Sequence, residues 1–394
     1  MTISGKKPIL FGFLAPACAL ILGALGLSAQ DKQLSEVRST VLSLRQHPDD
    51  HRDTRGATPQ LTVVKHQLRD WIEFHLSTFA QAGNERTLAE SLHSGLRDAK
   101  LFCDDDALCF PSSLGFLDDI QVSRDGEFLT FETAVGIWCG YDYSAYIYQW
   151  IANRWLRVWE SEQDTYTEKE YVPQIIHAVH ISAPDRDEGR LILTLGSKPG
   201  CASAFQPIYY RVWRMKEHLP PQILLQESEV ANVGGDPPIR GKIGPDDVLV
   251  GFEVGGTGYG ASHQAARHYE VRADTVKQVD PIATTPRDFV EEWLSLPWTQ
   301  SASRSESAGL KEWYSKVHRD DGAGDFPDPA VHCTDPALWE ISTHLHESPE
   351  IYYLVRWQPP YQFVMGGVSD HPYPNCTERD PKGDEHPVLF PGQD

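Results

Sequence analysis

The sequence predicts a mainly β fold with α additions (α+β). It consists of a repeat-built antiparallel β body, propeller-like in its strand spacing, with an N-terminal helical pair and a helical insertion. Two observations carry this prediction. After Cys109 the chain breaks into short β-branched and aromatic runs separated by Gly, Pro and Asp, which is typical of many short strands. A weak internal repeat then recurs at about sixty residues, the size of a unit of three or four strands.

The first residues have the three parts of a secretory signal peptide. Lys6 and Lys7 precede an apolar run over residues 8–27, and the small residues Ser28 and Ala29 follow it. We therefore predict that residues 1–29 are cleaved and that the mature protein is secreted or periplasmic. The alternative is a retained anchor, because the apolar run is about long enough to span a bilayer.

The chain is strongly acidic, with a formal net charge of −21 at pH 7. Cleavage of residues 1–29 removes two of its 35 basic side chains and none of its 56 acidic ones. Such a charge repels polyanions, which argues against nucleic acid or an anionic membrane surface as a partner. The partner we expect is an extracytoplasmic ligand or protein, and no cofactor is predicted.

The cysteines support export. Cys18 lies in the predicted signal peptide, and the six that remain are an even number, which predicts disulfides in an exported chain. Six cysteines allow 15 pairings. The pairing we favour joins Cys103 to Cys109, Cys139 to Cys201 and Cys333 to Cys376. The sequence contains no C-x-x-C motif, so a redox or zinc-knuckle site has no basis.

The predicted N-terminal region, residues 30–108, is helical around a polar linker at residues 47–59 that follows a short first helix. Thr58 is a suitable cap for the next helix and Pro59 suits its first turn. Apolar residues then recur at spacings of three and four, which predicts an amphipathic helix: Leu61, Val64, Leu68, Trp71, Ile72, Leu76 and Phe79. A second helix over about 87–102 is its natural packing partner.

The predicted β domain, residues 109–283, carries the repeat. Leu129–Cys139 is matched by Leu191–Cys201, and a third copy begins near Leu249. A fourth segment, Ile351–Trp357, echoes Ile208–Arg214. These units fit propeller blades, but they fit equally well a long meander that forms a curved sheet or an open barrel.

A helical insertion, predicted at residues 284–330, separates the last two copies. Thr285 and Asp288 form a capping box, Pro286 takes the first turn, and Phe289 and Trp293 share a face. A closing β segment with a disulfide-tied tail is predicted at residues 331–394.

No standard catalytic signature is present: the sequence lacks G-x-S-x-G, H-E-x-x-H and G-x-G-x-x-G. Repeated carboxylates occur at Glu160, Glu162, Glu227 and Glu229, and paired carboxylates are the catalytic groups of glycosidases. They are equally explained as a strand edge that recurs with the repeat. The catalytic residues are thus unknown from the sequence, and whether the protein is an enzyme stays open.

The strongest predicted binding surface is aromatic: Trp138, Tyr141, Asp142 and Tyr143. Gly140 and Asp142 favour a loop there, and loop aromatics beside a carboxylate commonly bind sugar rings and peptides. The alternative is packing around Cys139. His344 and His346 are close in sequence but lack a third ligand, so no metal site is predicted.

These observations predict an exported, non-catalytic binding or scaffolding module. The first alternative is an extracytoplasmic hydrolase that acts on polysaccharide or peptide with paired carboxylates. A second alternative is a docking domain that uses the helical insertion, and it requires that Phe289 and Trp293 form an exposed apolar patch.

Overall fold

A computed structural model of the chain describes the following residues: 32–44, 54–102, 115–137, 140–162, 175–186, 189–198, 205–216, 219–232, 239–255, 262–319, 330–343, 350–358 and 362–379. The predicted signal peptide, Trp138, His344, His346 and four of the six remaining cysteines (Cys103, Cys109, Cys139 and Cys201) lie outside these ranges. The chain divides into two compact units, which we call unit 1 (Met1–Val172) and unit 2 (Pro173–Asp394).

Unit 1 packs three helices on an antiparallel sheet. The helices are α1 (32–44), α2 (Thr54–Leu76) and α3 (Glu85–Asp98). The strands run in the order β1 (Leu117–Asp125), β2 (Phe128–Ile137), β3 (Gly140–Ile151) and β4 (Arg154–Ser161). The predicted apolar stripe of α2 is buried with α3 and the sheet, and Trp71, Leu92 and Phe131 are completely buried.

The helix α2 begins earlier than predicted. It starts at Thr54, so Pro59 lies within the helix and residues 54–59 are not linker. A proline near the start of a helix removes one backbone hydrogen bond, which a long and well-buried helix tolerates. The predicted start at Thr58 was therefore wrong by four residues.

Unit 2 begins with two further four-stranded antiparallel sheets, each a meander in sequence order. One consists of β5 (Ile175–Ile181), β6 (Arg190–Ser197), β7 (Phe205–Met215) and β8 (Gln222–Asn232). The other consists of β9 (Ile239–Ile243), β10 (Asp247–Gly255), β11 (Ser262–Arg272) and β12 (Thr275–Val279). Their apolar faces share one core that includes Leu193, Val212, Val250 and Phe252.

The helical insertion and the closing sheet complete unit 2. The helices are α4 (Pro286–Ser295), α5 (Trp298–Ser301) and α6 (Leu310–Arg319), with a 3₁₀ turn at Ala302–Arg304. The strands are β13 (Val331–Cys333), β14 (Leu338–Thr343), β15 (Ile351–Gln358), β16 (Gln362–Ser369) and β17 (Cys376–Arg379), in the order β16-β15-β14-β13-β17. A disulfide joins Cys333 to Cys376, as predicted.

The helix α4 follows the predicted capping pattern. The Thr285 side chain accepts a hydrogen bond from the backbone N–H of Asp288, and Pro286 occupies the first turn. Phe289 and Trp293 share a face as predicted, but both are completely buried. The docking-face alternative is therefore wrong, since α4 uses these rings as core.

The mainly β class with helical additions is confirmed, with four separate antiparallel sheets among the described strands. The residues that indicated the repeat occupy corresponding strands: Leu129, Leu191 and Leu249 lie in second strands, and Ile208 and Ile351 lie in third strands. A repeat requires such matching strand positions. The repeat itself and the propeller-like arrangement stay predictions. No helix in the described part of the chain is long and apolar enough to cross a membrane.

Candidate functional site

The predicted binding loop is a strand in its described part. Gly140 to Tyr143 open strand β3, which pairs with β2 from Gly140 to Gln149. The loop interpretation of these residues is therefore wrong. Gly140 and Asp142 resemble loop residues in sequence, but pairing with β2 and burial of the strand decide the backbone conformation.

Asp142 lies on the opposite face of β3 from the two neighbouring tyrosines. Its carboxylate accepts a 2.9 Å hydrogen bond from Nζ of Lys65 on α2, and both side chains are completely buried. Strand geometry requires this separation, because successive side chains point to opposite faces. The Asp142 carboxylate is thus bound by Lys65 of α2 and does not lie on the same face as the tyrosine rings.

Tyr141 and Tyr143 lie on the other face of the sheet, opposite residues with small side chains. In the antiparallel register Tyr141 is paired with Gly136, and Tyr143 is paired with Ala134. Both rings are partly buried. The small residues opposite them, Gly136 and Ala134, are themselves buried.

Acidic residues from β1 and β2 converge on the two tyrosines. The register of β1 shifts between Leu117, paired with Val135, and Ile120, paired with Thr133. This bulge places both Asp118 and Asp119 against the single residue that faces Tyr143. Glu132 lies on the same face, two residue pairs further along the strands. We call Asp118, Asp119, Glu132, Tyr141 and Tyr143 the tyrosine–acid cluster.

The electrostatics of the tyrosine–acid cluster follow from burial and like charge. Burial raises the pKa of Glu132 to about 7. Burial also raises the pKa of Tyr141, and a hydrogen bond to the carboxylate of Asp118 adds to that effect. For Tyr143, burial is again the largest cause of the raised pKa, followed by the charge of Asp118. The cluster therefore combines protonated phenols with carboxylates, one of which changes charge near neutral pH.

Two of the repeated carboxylates, Glu160 and Glu162, belong to the interface between α2 and the sheet of unit 1. Glu162, buried, accepts a 2.8 Å hydrogen bond from Nη1 of Arg69 and lies 3.5 Å from Nε2 of His66. Glu160, partly exposed, lies 3.3 Å from Nε of Arg157. These carboxylates neutralise cations at a packed interface.

The other two repeated carboxylates lie on β8 in unit 2. Glu229 receives two parallel hydrogen bonds from Arg267 on β11, of 2.8 Å from Nε and 2.7 Å from Nη2. Its Oε1 also accepts from the hydroxyl of Tyr210 at 3.2 Å. Glu227 is exposed. Both oxygens of Glu229 are thus occupied within the fold, as expected for an Arg–carboxylate fork.

A buried charge network surrounds His263 on β11, and it was not predicted from the sequence. Nδ1 of His263 lies 3.2 Å from Oε2 of Glu291, and Nε2 lies 3.1 Å from Oε2 of Glu292. Nη1 of Arg267 lies 2.7 Å from Oε1 of Glu292. Both glutamates come from α4. His263 and Arg267 therefore face three carboxylates, those of Glu291, Glu292 and Glu229. We call these five residues the His263 network.

Burial and pairing act in opposite directions on the His263 network. Burial lowers the pKa of His263, but the contacts with Glu291 and Glu292 outweigh it and raise the pKa to about 9. For Glu292, burial raises the pKa, and the bonds from His263 and the charge of Arg267 overcome it, so its pKa is lowered. The imidazole is therefore a cation held between two carboxylates at neutral pH.

The described residues do not form a metal centre. Among them, no group of three or more His, Cys, Asp or Glu has the geometry to hold a metal ion.

Comparisons with known proteins name no family. No family model matches the sequence, and no curated protein matches it. Among solved structures, a similar one from Bacteroides fragilis is described as a candidate 6-phosphogluconolactonase. It aligns at 11% sequence identity with a TM-score of 0.23, over 69% of this chain and 62% of that protein. This chain thus covers less than two thirds of that protein, and a likeness at this TM-score carries no argument about fold or function.

Proposed function

We propose that this chain is an exported, non-catalytic binding module whose ligand contacts the tyrosine–acid cluster of unit 1. The observation that carries the proposal is the placement of Tyr141 and Tyr143 beside the Asp118 and Asp119 bulge on one face of the sheet. Rings beside carboxylates provide apolar faces and hydrogen-bond acceptors, which together suit the hydroxyls and flat faces of a sugar or the groups of a peptide.

The fate of the other charged residues supports a binding role. Of the repeated carboxylates, Glu162 is engaged by Arg69, and Glu229 is engaged on both oxygens by Arg267. Both oxygens of Glu229 are occupied in this way, which argues against a role for it as acid or nucleophile. Two of the four repeated carboxylates, Glu162 and Glu229, thus have a structural role.

The test is binding to a printed array of oligosaccharides and peptides, with full-length mature protein. We expect retention of at least one probe, and a loss of roughly thirtyfold in affinity for it in a Tyr141→Ala/Tyr143→Ala variant, since interface tyrosines contribute about 2 kcal/mol when they anchor a ligand. Tyr209→Phe in unit 2 is the matched control and retains wild-type affinity. Equal retention by the double variant and the wild type contradicts the proposal.

The second candidate function is hydrolysis, and Glu132 favours it. A carboxyl group whose pKa is raised to about 7 is half protonated near neutral pH, as a general acid requires, and it lies with Asp118 and Asp119 on one face. Chromogenic glycosides and peptides test this. A hydrolysis rate that decreases above pH 7, and that is about 10²–10⁴-fold lower in Glu132→Gln than in the wild type, establishes an enzyme. Absence of turnover with retained array binding favours the binding module.

Export and the finer architecture belong to the same proposal. We expect the mature chain to begin near Gln30 after cleavage, which mass spectrometry of protein secreted by an oxidising host measures directly. An uncleaved chain contradicts it. We also propose that the meanders are arranged as blades, because each sheet takes its first four strands in sequence order. An experimental structure with the sheets in one open curved layer contradicts this arrangement.

A further inference from the structure

We propose that protonated His263 is a pH-sensitive clamp that holds α4 against β11, and that α4 loosens as the solution turns from neutral to alkaline. The clamp lies in unit 2 and stands independently of the tyrosine–acid cluster. Its basis is the geometry of the imidazole between two carboxylates. Nε2 of His263 makes a 3.1 Å hydrogen bond to Glu292, and Nδ1 lies 3.2 Å from a Glu291 oxygen without hydrogen-bond alignment, so each ring nitrogen faces a carboxylate.

Every charged group that faces the ring favours the cationic form or is already paired. From α4 come Glu291 and Glu292, together with Asp288, whose carboxylate accepts from the backbone N–H of Gln264 and from Thr284 and Thr285. Arg287 lies 3.6 Å from the other oxygen of Glu291. From β8, Glu229 is bound by Arg267, and from β10, Glu253 accepts from Asn232. Val254 is the residue paired with His263 across the strands.

Loss of the proton removes one of the two cations beside each buried glutamate, and it leaves Glu292 with Arg267 and Glu291 with Arg287. Both nitrogens of a neutral imidazole cannot donate, so one of Glu291 and Glu292 then faces a lone pair at about 3 Å. Each of these glutamates is almost completely buried, which makes the loss of a cationic partner there unfavourable. The carboxylates are carried by α4, so separation of α4 from β11 relieves the conflict.

The direction of the pH effect follows from the raised pKa. The pKa of His263 is about 9 in the folded protein, against about 6.5 for an unperturbed histidine. The stabilisation is therefore complete below about pH 6.5 and is lost as the pH rises through about 9. Within that window the opening equilibrium of α4 increases by up to about tenfold per pH unit, because one proton is released on opening.

Hydrogen–deuterium exchange of the full-length mature protein, corrected for the intrinsic pH dependence of exchange, tests the clamp. We expect the opening constant of α4 to increase roughly 40-fold between pH 7 and pH 9 in the wild type. In His263→Gln the constant starts higher and does not change with pH in this window. His268→Gln is the matched control on the same strand, with Nδ1 of His268 on a backbone carbonyl, and it retains the wild-type slope.

A second variant keeps the test decisive if His263→Gln does not fold. Glu291→Gln removes one carboxylate from the ring, so the window of increasing exchange shifts to lower pH. Exchange of α4 that is independent of pH in the wild type overturns the clamp. An equal increase in all strands of unit 2 also overturns it, because the loosening then is global and not confined to α4.

Discussion

Each unit packs one helix against its own sheet through buried charged pairs. The helix supplies the cations in one unit and the anions in the other. In unit 1 the helix α2 supplies the cations Lys65 and Arg69, and the sheet and the end of β4 supply Asp142 and Glu162. In unit 2 the helix α4 supplies two glutamates, and strand β11 supplies a histidine and an arginine. At a buried helix–sheet contact either the helix or the sheet can thus carry the cations, provided that each ion has a partner.

The difference that matters between the two interfaces is the kind of cation. Lysine and arginine keep their charge across the ordinary pH range, whereas histidine changes charge near neutrality. Lys65 and Arg69 make the buried contacts of unit 1, so we expect α4 in unit 2, where His263 lies between two carboxylates, to respond more strongly to alkaline pH. The mutations below test this comparison, from the largest expected effect to the smallest.

Asp142→Ala breaks the most deeply buried pair. It leaves the ammonium of Lys65 buried without its carboxylate, and we expect unfolding of unit 1 to become easier by about 3–5 kcal/mol. Urea unfolding followed by hydrogen exchange of β3 measures it. The double variant Lys65→Met/Asp142→Leu removes both charges and is expected to stay near wild-type stability. A loss below about 1 kcal/mol for the single variant contradicts a paired, buried ion.

Arg267→Met breaks the corresponding contact in unit 2. Glu292 is buried and keeps its contact with His263, and Glu229 is partly exposed, so water compensates part of its lost pairing. We expect a loss of about 2–3 kcal/mol, smaller than for Asp142→Ala. Arg267→Lys keeps the charge but not the fork, and its loss is expected to be intermediate. If the lysine variant equals the wild type, the two parallel hydrogen bonds do not contribute.

Thr285→Ala compares the contribution of the N-cap of α4 to stability with the contribution of the His263 network. The lost hydrogen bond to the N–H of Asp288 is expected to lower stability by about 1 kcal/mol. Thr284→Ala is the matched control, because Thr284 donates to the Asp288 side chain and caps no backbone group. An effect of Thr285→Ala larger than that of Arg267→Met reverses our ranking. Thermal unfolding at constant pH compares the variants.

Glu306→Gln gives the smallest expected effect and shows what burial contributes. Oε1 of Glu306 lies 2.6 Å from Nε of Arg356, a shorter contact than Lys65 to Asp142, but both side chains are about one third exposed. Exposed pairs contribute little because water and salt screen them, so we expect a change below about 1 kcal/mol. A loss equal to that of Asp142→Ala shows that distance and not burial controls these contacts.

The features that the sequence predicted correctly depend on neighbours in the chain. The capping of α4 by Thr285, the apolar stripe of α2 and the antiparallel meanders follow from residues within a few positions of one another. The pairing of Cys333 with Cys376 is an exception, because it was one choice among 15 possible pairings and joins residues 43 positions apart. Local patterns are reliable where the physical contact is also local.

The features that the sequence did not predict depend on contacts between distant residues. Lys65 and Asp142 are 77 positions apart, and no pattern near Asp142 indicates that it faces a helix. The bulge that brings Asp118 and Asp119 to Tyr143 arises from strand register, which period-two alternation does not reveal. His263 and Glu292 are likewise in different elements, although an acid pair in an apolar helical stripe is a signal for a buried cation.

An NMR titration of the His263 imidazole in the full-length mature protein tests most directly the claim that unit 2 is held by a cation that titrates. Comparison of the wild type with His263→Gln identifies its resonance among those of the 16 histidines. We predict a single proton released with a pKa of about 9, with both ring nitrogens protonated at neutral pH. A pKa at or below about 6.5 contradicts the account, because the ring then is neutral between its two glutamates.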